Sequence, residues 1–224
     1  MNRIVFWSGL CVAGGFAGVT VVSLLYGVAS PATVLPIPAV SIDMAMQGAI
    51  ASKDVLINIG NIGVASDLVL AFGACLLAYY FSREKQNLKS TGWLLIGLSA
   101  VIFFVVDLIA GFVLGPVALS SDVGSFITFK HWFDRLFIAG AMIFGCGAVF
   151  SLWVEVRSDF PIVNRTVSIL GIMTGLAAIV AALSLLLGFN LSQVLGLSIL
   201  AGSIVFLVVG LQISRAFHKP VSST

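Results

Sequence analysis

The chain has 224 residues, of which 60% are hydrophobic and only 9% are charged. Soluble domains carry about 25% charged residues, so this composition excludes a chain that faces water over most of its surface. A net charge of +2, with no run of basic residues, also argues against nucleic acid as a partner. The length accommodates roughly six spans of about 20 residues and no separate soluble domain. We therefore expect one helical membrane domain over residues 1–224, with the lipid bilayer as its surroundings.

Six apolar runs predict six transmembrane helices of an all-α membrane protein. The runs cover residues 4–28, 56–81, 92–114, 131–154, 167–187 and 194–213. The fourth run shows the pattern typical of a bilayer-crossing helix: Lys130 and Trp132 lie at its start, and Trp153 and Glu155 at its end. The first run is longer than the roughly 7–15 residues of a secretory signal, so we interpret it as a retained span.

The longest predicted connection covers residues 30–54 and precedes the second span. It contains Pro31, Pro36 and Pro38, which interrupt helices because proline lacks a backbone donor. Residues 40–50 are compatible with a short helix lying at the membrane interface. The sequence does not indicate whether this outer loop is ordered by itself.

Basic residues are distributed unevenly between the two sides of the predicted bundle. If the N-terminus is cytoplasmic, the inner side holds eight of them and the outer side three. The inner set is Arg3, Arg83, Lys85, Lys89, Arg157, Arg165, Arg215 and Lys219, and the outer set is Lys53, Lys130 and Arg135. Because cytoplasmic loops are enriched in Lys and Arg, this bias predicts that both the N- and C-termini are cytoplasmic.

A group of polar residues falls inside the second, third and fourth spans, toward the predicted outer side. It comprises Asn58, Asn61, Asp67, Asp107, Asp134 and Arg135. A carboxylate at such depth costs a few kcal/mol or more unless it is paired, solvated or protonated. These six residues are therefore the candidate binding site.

Two interpretations of this polar group stay open. In the structural one, Asp107 pairs with Arg135, and Asp67 is hydrogen-bonded by Ser66, Ser99 or Thr174. In the functional one, Asp67 or Asp107 lies in a water-accessible vestibule and binds a cation, a proton or the head group of a ligand.

Familiar catalytic and cofactor patterns are not found. Cys11, Cys75 and Cys146 each lie alone in an apolar run, and the two histidines fall on opposite sides of the membrane, which excludes a bis-histidine haem site in one leaflet. We predict no catalytic residue, metal or cofactor. Asp107 and Asp134 are the only acidic pair that a lipid-modifying membrane enzyme could use.

One stretch of the chain resembles a known family. The residues are Trp132-Phe133-Asp134 through Gly145 and Gly147, then Arg157, Pro161 and Leu170-Gly171 into Gly175. Over about half the chain this pattern is similar to an uncharacterised bacterial family of integral membrane proteins with six to seven spans. The inner loop RSDFPIVNR departs from the more regular arginine-serine-proline loop of that family. The resemblance implies a bacterial inner-membrane protein and assigns no catalytic residues.

These observations predict a multi-pass protein of the bacterial inner membrane that is not an enzyme. Its expected role is that of a binding, protective or assembly partner within the membrane. Glycine-lined faces on the first, fourth and fifth spans would allow close helix contacts within the chain, with a membrane protein partner, or in a homo-oligomer. The alternative is a small carrier or ion-coupled permease that uses Asp67 and Asp107.

Overall fold

The structure, a computed structural model, describes residues 2–38 and 40–217. Within this range the chain forms helices joined by short connections and contains no β-strand. Six helical segments are long and apolar enough to cross a membrane. They are α1 (Asn2–Val28), α4 (Lys53–Arg83), α5 (Asn87–Ile109) continuing through a π-helical turn (Ala110–Leu114) into α6 (Gly115–Leu119), α7 (Val123–Arg157), α8 (Arg165–Leu186) and α9 (Ser192–Ala216). The predicted all-α membrane fold with six spanning helices is confirmed.

Most of the spanning helices extend beyond the apolar runs that predicted them. The largest extension is in α7, which begins at Val123 rather than at residue 131. Asp122 caps it by accepting a hydrogen bond from the backbone N–H of Ser125 at 3.0 Å, and this bond lowers the pKa of the Asp122 carboxyl. Hydrogen bonding along the backbone thus continues the helices past the apolar segment, because polar side chains at the ends are no obstacle to it.

The six long helices are arranged as a ring. Each packs against the next spanning helix in the sequence, and α9 packs against α1 to close the ring. Glycines form close crossings: a Cβ added to Gly111 of the π-helical turn would lie 2.4 Å from the Cα of Gly60 in α4, and one on Gly145 of α7 would lie 2.5 Å from the carbonyl oxygen of Gly175 in α8. The glycine faces noted in the sequence are thus largely used inside the chain, as small residues permit.

The interior of the ring contains a group of four large aromatic residues, here named the aromatic layer: Phe16, Trp93, Phe144 and Phe206. Phe206 lies at the centre, with ring centroids 5.2 Å from Phe16, 5.4 Å from Phe144 and 6.1 Å from Trp93. Tilted and edge-on contacts at these distances are favourable for aromatic rings. The layer connects α1, α5, α7 and α9 and fills the space between them.

The two ends of the bundle differ. The start of α1 and the end of α9 lie together, since Gly9 directly contacts Gly210 and Ser214; this is the termini end. At the other end, the capped end, two short helices, α2 (Pro31–Val34) and α3 (Ile42–Ala51), belong to the segment that connects α1 to α4. The predicted short helix within residues 40–50 is therefore confirmed.

The two short helices, here called the cap, are held to each other and to the bundle by buried polar contacts. The hydroxyl of Thr33 in α2 donates to the carbonyl of Ala45 in α3 at 2.8 Å. Lys130 of α7, only 1% exposed, donates to the carbonyl of Leu35 at 3.1 Å and to the carboxylate of Asp134. Because a buried ammonium is costly without partners, these bonds fix the segment that follows α2 against α7.

Candidate functional site

A cavity of about 420 Å³ lies in the half of the ring nearest the capped end. Its wall is mostly apolar and is formed mainly by α1 and α9, with contributions from α2, the segment after it, α4, α5 and α7. The lining residues are Val19, Val22, Ser23, Leu24, Tyr26, Gly27, Pro31, Leu35, Asp67, Phe103, Asp107, Phe137, Gln193, Gly196, Leu197, Ile199 and Leu200. The volume is within the range of small-molecule sites, roughly 300–1,000 Å³.

The cavity opens sideways, between α1 and α9. These helices are in close contact toward the termini end and as far as Thr20, whose hydroxyl lies 2.9 Å from that of Ser203. Beyond this point both helices line the cavity, and Leu24 and Leu197 at its edge are 56% and 65% exposed. In a spanning bundle such exposed leucines face lipid, so the opening faces the bilayer.

Asp107 of α5 is one of two carboxylates in the cavity. The Tyr26 hydroxyl of α1 donates to its Oδ1 at 2.6 Å, and the residue is 4% exposed. Its Oδ2 lies over Gly63 of α4, where an added Cβ would be only 1.7 Å away. The close crossing of Gly60 with Gly111 brings the two helices near enough for this arrangement, and any larger residue at position 63 would displace the carboxylate.

Asp67 of α4 is the second carboxylate, and it is 2% exposed. None of the described residues offers its Oδ2 a hydrogen bond. The predicted partners are wrong, because all three hydroxyls donate to main-chain carbonyls instead. Ser66 donates to Ile62, Ser99 to Gly140, and Thr174 to Gly171. Asp67 is close enough to Asp107 for the two carboxylates to interact electrostatically.

The other predicted site residues lie elsewhere. Asn58 and Asn61 are exposed on α4, on the side opposite the buried face that carries Asp67. Asp134 pairs with Lys130, and Arg135 is exposed. The predicted Asp107–Arg135 pair is therefore wrong. Adjacent positions on a helix are about 100° apart, so Arg135 points away from the interior that Phe133 and Phe137 fill.

The aromatic residues near the carboxylates form a second feature that the sequence did not indicate. Tyr26 makes an edge contact with Phe137 at 6.0 Å, and Phe137 makes another with Phe103 at 5.6 Å. All three line the cavity. Tyr26 has the position of an interfacial tyrosine in the sequence, and no local spacing relates it to Asp107, which is 81 positions away.

A buried ion pair joins Lys89 of α5 and Glu155 of α7, outside the cavity. The ammonium also lies 4.0 Å from the ring centroid of Phe81. The second carboxylate oxygen of Glu155 accepts the backbone N–H groups of Ile162 at 2.8 Å and Val163 at 3.2 Å. Both carboxylate oxygens of Glu155 thus have donors, in contrast to Oδ2 of Asp67, and Glu155 holds the α7–α8 connection at the termini end.

The geometry gives little support to a metal site or to an acidic pair that acts together as in a lipid-modifying enzyme. Among the described residues, no three His, Cys, Asp or Glu side chains are grouped so that they could hold a metal ion. Asp107 and Asp134, the pair considered for a lipid-modifying enzyme, have different partners, Tyr26 and Lys130, and only Asp107 lines the cavity.

No family model matches the chain, and no curated protein or solved structure does so. The resemblance to the uncharacterised bacterial family thus stays a prediction.

Proposed function

We propose that this protein binds a small amphipathic molecule, which enters the cavity from the bilayer between α1 and α9. The observation that supports this most directly is the unpartnered Oδ2 of Asp67, buried beside a cavity with a mostly apolar wall. A buried polar group without a partner is costly, and a carboxylate is especially so. A polar group on a bound molecule would supply the missing hydrogen bond.

The shape of the cavity supports an amphipathic ligand. Its two carboxylates and the Tyr26 hydroxyl are on the inner wall, whereas Leu24 and Leu197 are at the opening toward lipid. A molecule with one polar end and an apolar body would place each part against matching surface. This role is a form of the non-enzymatic binding function predicted from the sequence.

Filling the cavity is expected to remove the ligand. Gly196 of α9 lines the cavity, and a Cβ there would meet only Leu35, at 3.6 Å. Gly196→Phe should therefore place a ring in the ligand space without a backbone clash. Native mass spectrometry of the protein, extracted in a mild detergent, should show a retained small molecule in the wild type and none in this variant.

Gly14→Phe provides the matched control, because a Cβ at Gly14 meets nothing within 4 Å and Gly14 does not line the cavity. It should retain the molecule. A wild-type protein that carries no small molecule, or one that Gly196→Phe also carries, would contradict the proposal. A stoichiometric second polypeptide would instead support an assembly partner.

We further propose that the protein lies in a bacterial inner membrane with both termini in the cytoplasm. Six described basic residues are exposed toward the termini end, namely Arg3, Arg83, Lys85, Arg157, Arg165 and Arg215, against two toward the capped end, Lys53 and Arg135. Lys89 and Lys130 are buried in pairs, and Lys219 lies outside the described residues. The excess of exposed basic residues toward the termini end follows the positive-inside rule if that end is cytoplasmic.

Labelling of single cysteines in intact cells tests this orientation. In a background without Cys11, Cys75 and Cys146, a membrane-impermeant maleimide should react with Ser121→Cys at the capped end. Lys85→Cys at the termini end should react only after the membrane is permeabilised. The reverse pattern would overturn the orientation.

A carrier that uses Asp67 and Asp107 is the second candidate. It is favoured by the position of the cavity, which lies between the aromatic layer and the capped end and contains two carboxylates inside the bundle, where carriers place their binding sites. Uptake of the retained molecule into proteoliposomes would identify a carrier, and binding without uptake would identify a binding protein.

A further inference from the structure

We infer that the ligand of this cavity is an organic ammonium ion, that is, a protonated amine with an apolar body. The inference rests on the proposed function and specifies the chemical class of the bound molecule. Three properties of the cavity lead to it: the sign of its charge, its missing hydrogen-bond donor and its aromatic wall.

Among the described residues that line the cavity, the charged ones are two carboxylates, Asp67 and Asp107, and none is basic. Lys130 of α7, a buried cation toward the capped end, is already bound to Asp134 and to the carbonyl of Leu35. An anionic ligand would therefore face two carboxylates without compensation. A neutral ligand would bind only with these carboxyls protonated, because an unbalanced charge in an apolar wall is costly, whereas a cation balances the ionised form.

The hydrogen-bonding capacity of the two carboxylates is unequal. Asp107 accepts the Tyr26 hydroxyl at its Oδ1, but Oδ2 of Asp67 has no donor among the described residues. An alkylammonium group carries three N–H donors and no acceptor. It could donate to Asp67 and still face Asp107, and hydrogen bonds between charged groups are about twice as strong as neutral ones.

The aromatic wall fits a cation as well. Tyr26, Phe103 and Phe137 lie beside the carboxylates, in edge contacts with one another. The face of an aromatic ring carries partial negative charge and attracts ammonium ions, most strongly when the site is desolvated. A small inorganic cation fits less well, because hard cations such as Ca²⁺ and Mg²⁺ take about six or more oxygen ligands and this wall is mostly apolar.

Three probes with one apolar body and different head groups test the inference: phenylbutylamine, phenylbutanol and phenylbutanoate. Binding is measured by isothermal titration calorimetry with the protein in lipid nanodiscs at neutral pH, after subtraction of partitioning into empty nanodiscs. The amine is expected to bind about tenfold or more tightly than the alcohol, and the carboxylate should show no saturable binding. Comparing amine with alcohol separates the effect of charge from that of hydrogen-bond donation.

Variants connect this preference to the cavity. Asp67→Asn should weaken binding of the amine to about the affinity of the alcohol, because it removes the charge and keeps the side-chain size. The affinity for the alcohol should stay nearly unchanged. Asp54→Asn is the matched control on the same helix, since Asp54 is exposed and does not line the cavity; it should change neither affinity. Gly196→Phe should abolish binding of both probes without altering either carboxylate.

The outcomes distinguish the inference from the proposed function. If the alcohol or the carboxylate binds the wild type as tightly as the amine and Gly196→Phe abolishes that binding, the ammonium class is wrong and the cavity remains a ligand site. If none of the probes binds the wild type, and no retained molecule is lost on Gly196→Phe, the proposed function fails too. The comparison of head groups on the wild type decides the matter even if Asp67→Asn does not fold.

Discussion

Replacing Asp67 with leucine is expected to stabilise the ligand-free protein, raising its free energy of unfolding by about 2–3 kcal/mol. The carboxylate is 2% exposed and its Oδ2 has no donor among the described residues, so its transfer out of water is not offset by protein contacts. Leucine removes this cost and adds apolar surface next to Leu70 and the aromatic layer. The measurement is the midpoint of thermal unfolding in one detergent.

Asp54→Leu is the control for this first prediction, because it makes the same chemical change at an exposed position of the same helix. Its effect should be within about 0.5 kcal/mol. A loss of stability in Asp67→Leu would show that the carboxylate is stabilised by contacts in the ligand-free protein, and the case for a ligand partner would be lost. A gain would mean that the chain keeps a destabilising residue in its cavity, as functional sites commonly do.

Glu155→Gln is expected to have the opposite effect and destabilise the protein by about 3–5 kcal/mol, because it leaves the Lys89 ammonium buried without its counter-ion. Both side chains of the pair are at most 4% exposed, so water cannot replace the lost partner. The glutamine carbonyl can still accept the N–H of Ile162, and the loss is therefore assigned mainly to the ion pair. Thermal unfolding measures it under the conditions used for Asp67.

A double variant tests whether the unpaired charge causes this loss. Lys89→Met in combination with Glu155→Gln removes both charges, and it should recover most of the stability that either single variant loses. Glu84→Gln, at an exposed position, serves as the control for glutamate-to-glutamine exchange. Equal stability of Glu155→Gln and the wild type would contradict the role given to the pair.

The number and order of the spanning helices could be predicted because the thickness of the bilayer sets the length of an apolar run. The helix ends could not, because a helix continues wherever its backbone remains hydrogen-bonded. Asp122, for example, caps α7 well before the first residue of the predicted span. That Asp67 and Asp107 lie within spanning helices could be predicted, because each falls inside an apolar run.

Which side chains meet could not be predicted in the same way. Depth does not give the direction in which a side chain points, and a one-residue difference, as between Asp134 and Arg135, turns it by about 100°. Lys89 and Glu155 are 66 positions apart, and Tyr26 and Asp107 are 81 positions apart. No local spacing rule connects residues at such separations, so charges assigned to loops proved to be buried partners.

One neighbouring pair of helices in the ring, α1 and α9, is not joined by a connecting segment of the chain. Every other neighbouring pair is consecutive among the spanning helices and is joined by the chain at one end, whereas α1 and α9 meet only through side chains and backbone contacts. These two helices can separate near the capped end without stretching any connection, at the expense of contacts such as that between Thr20 and Ser203. The cavity opens between these two helices. The passage from the lipid to the carboxylates therefore lies where the topology restrains the helices least.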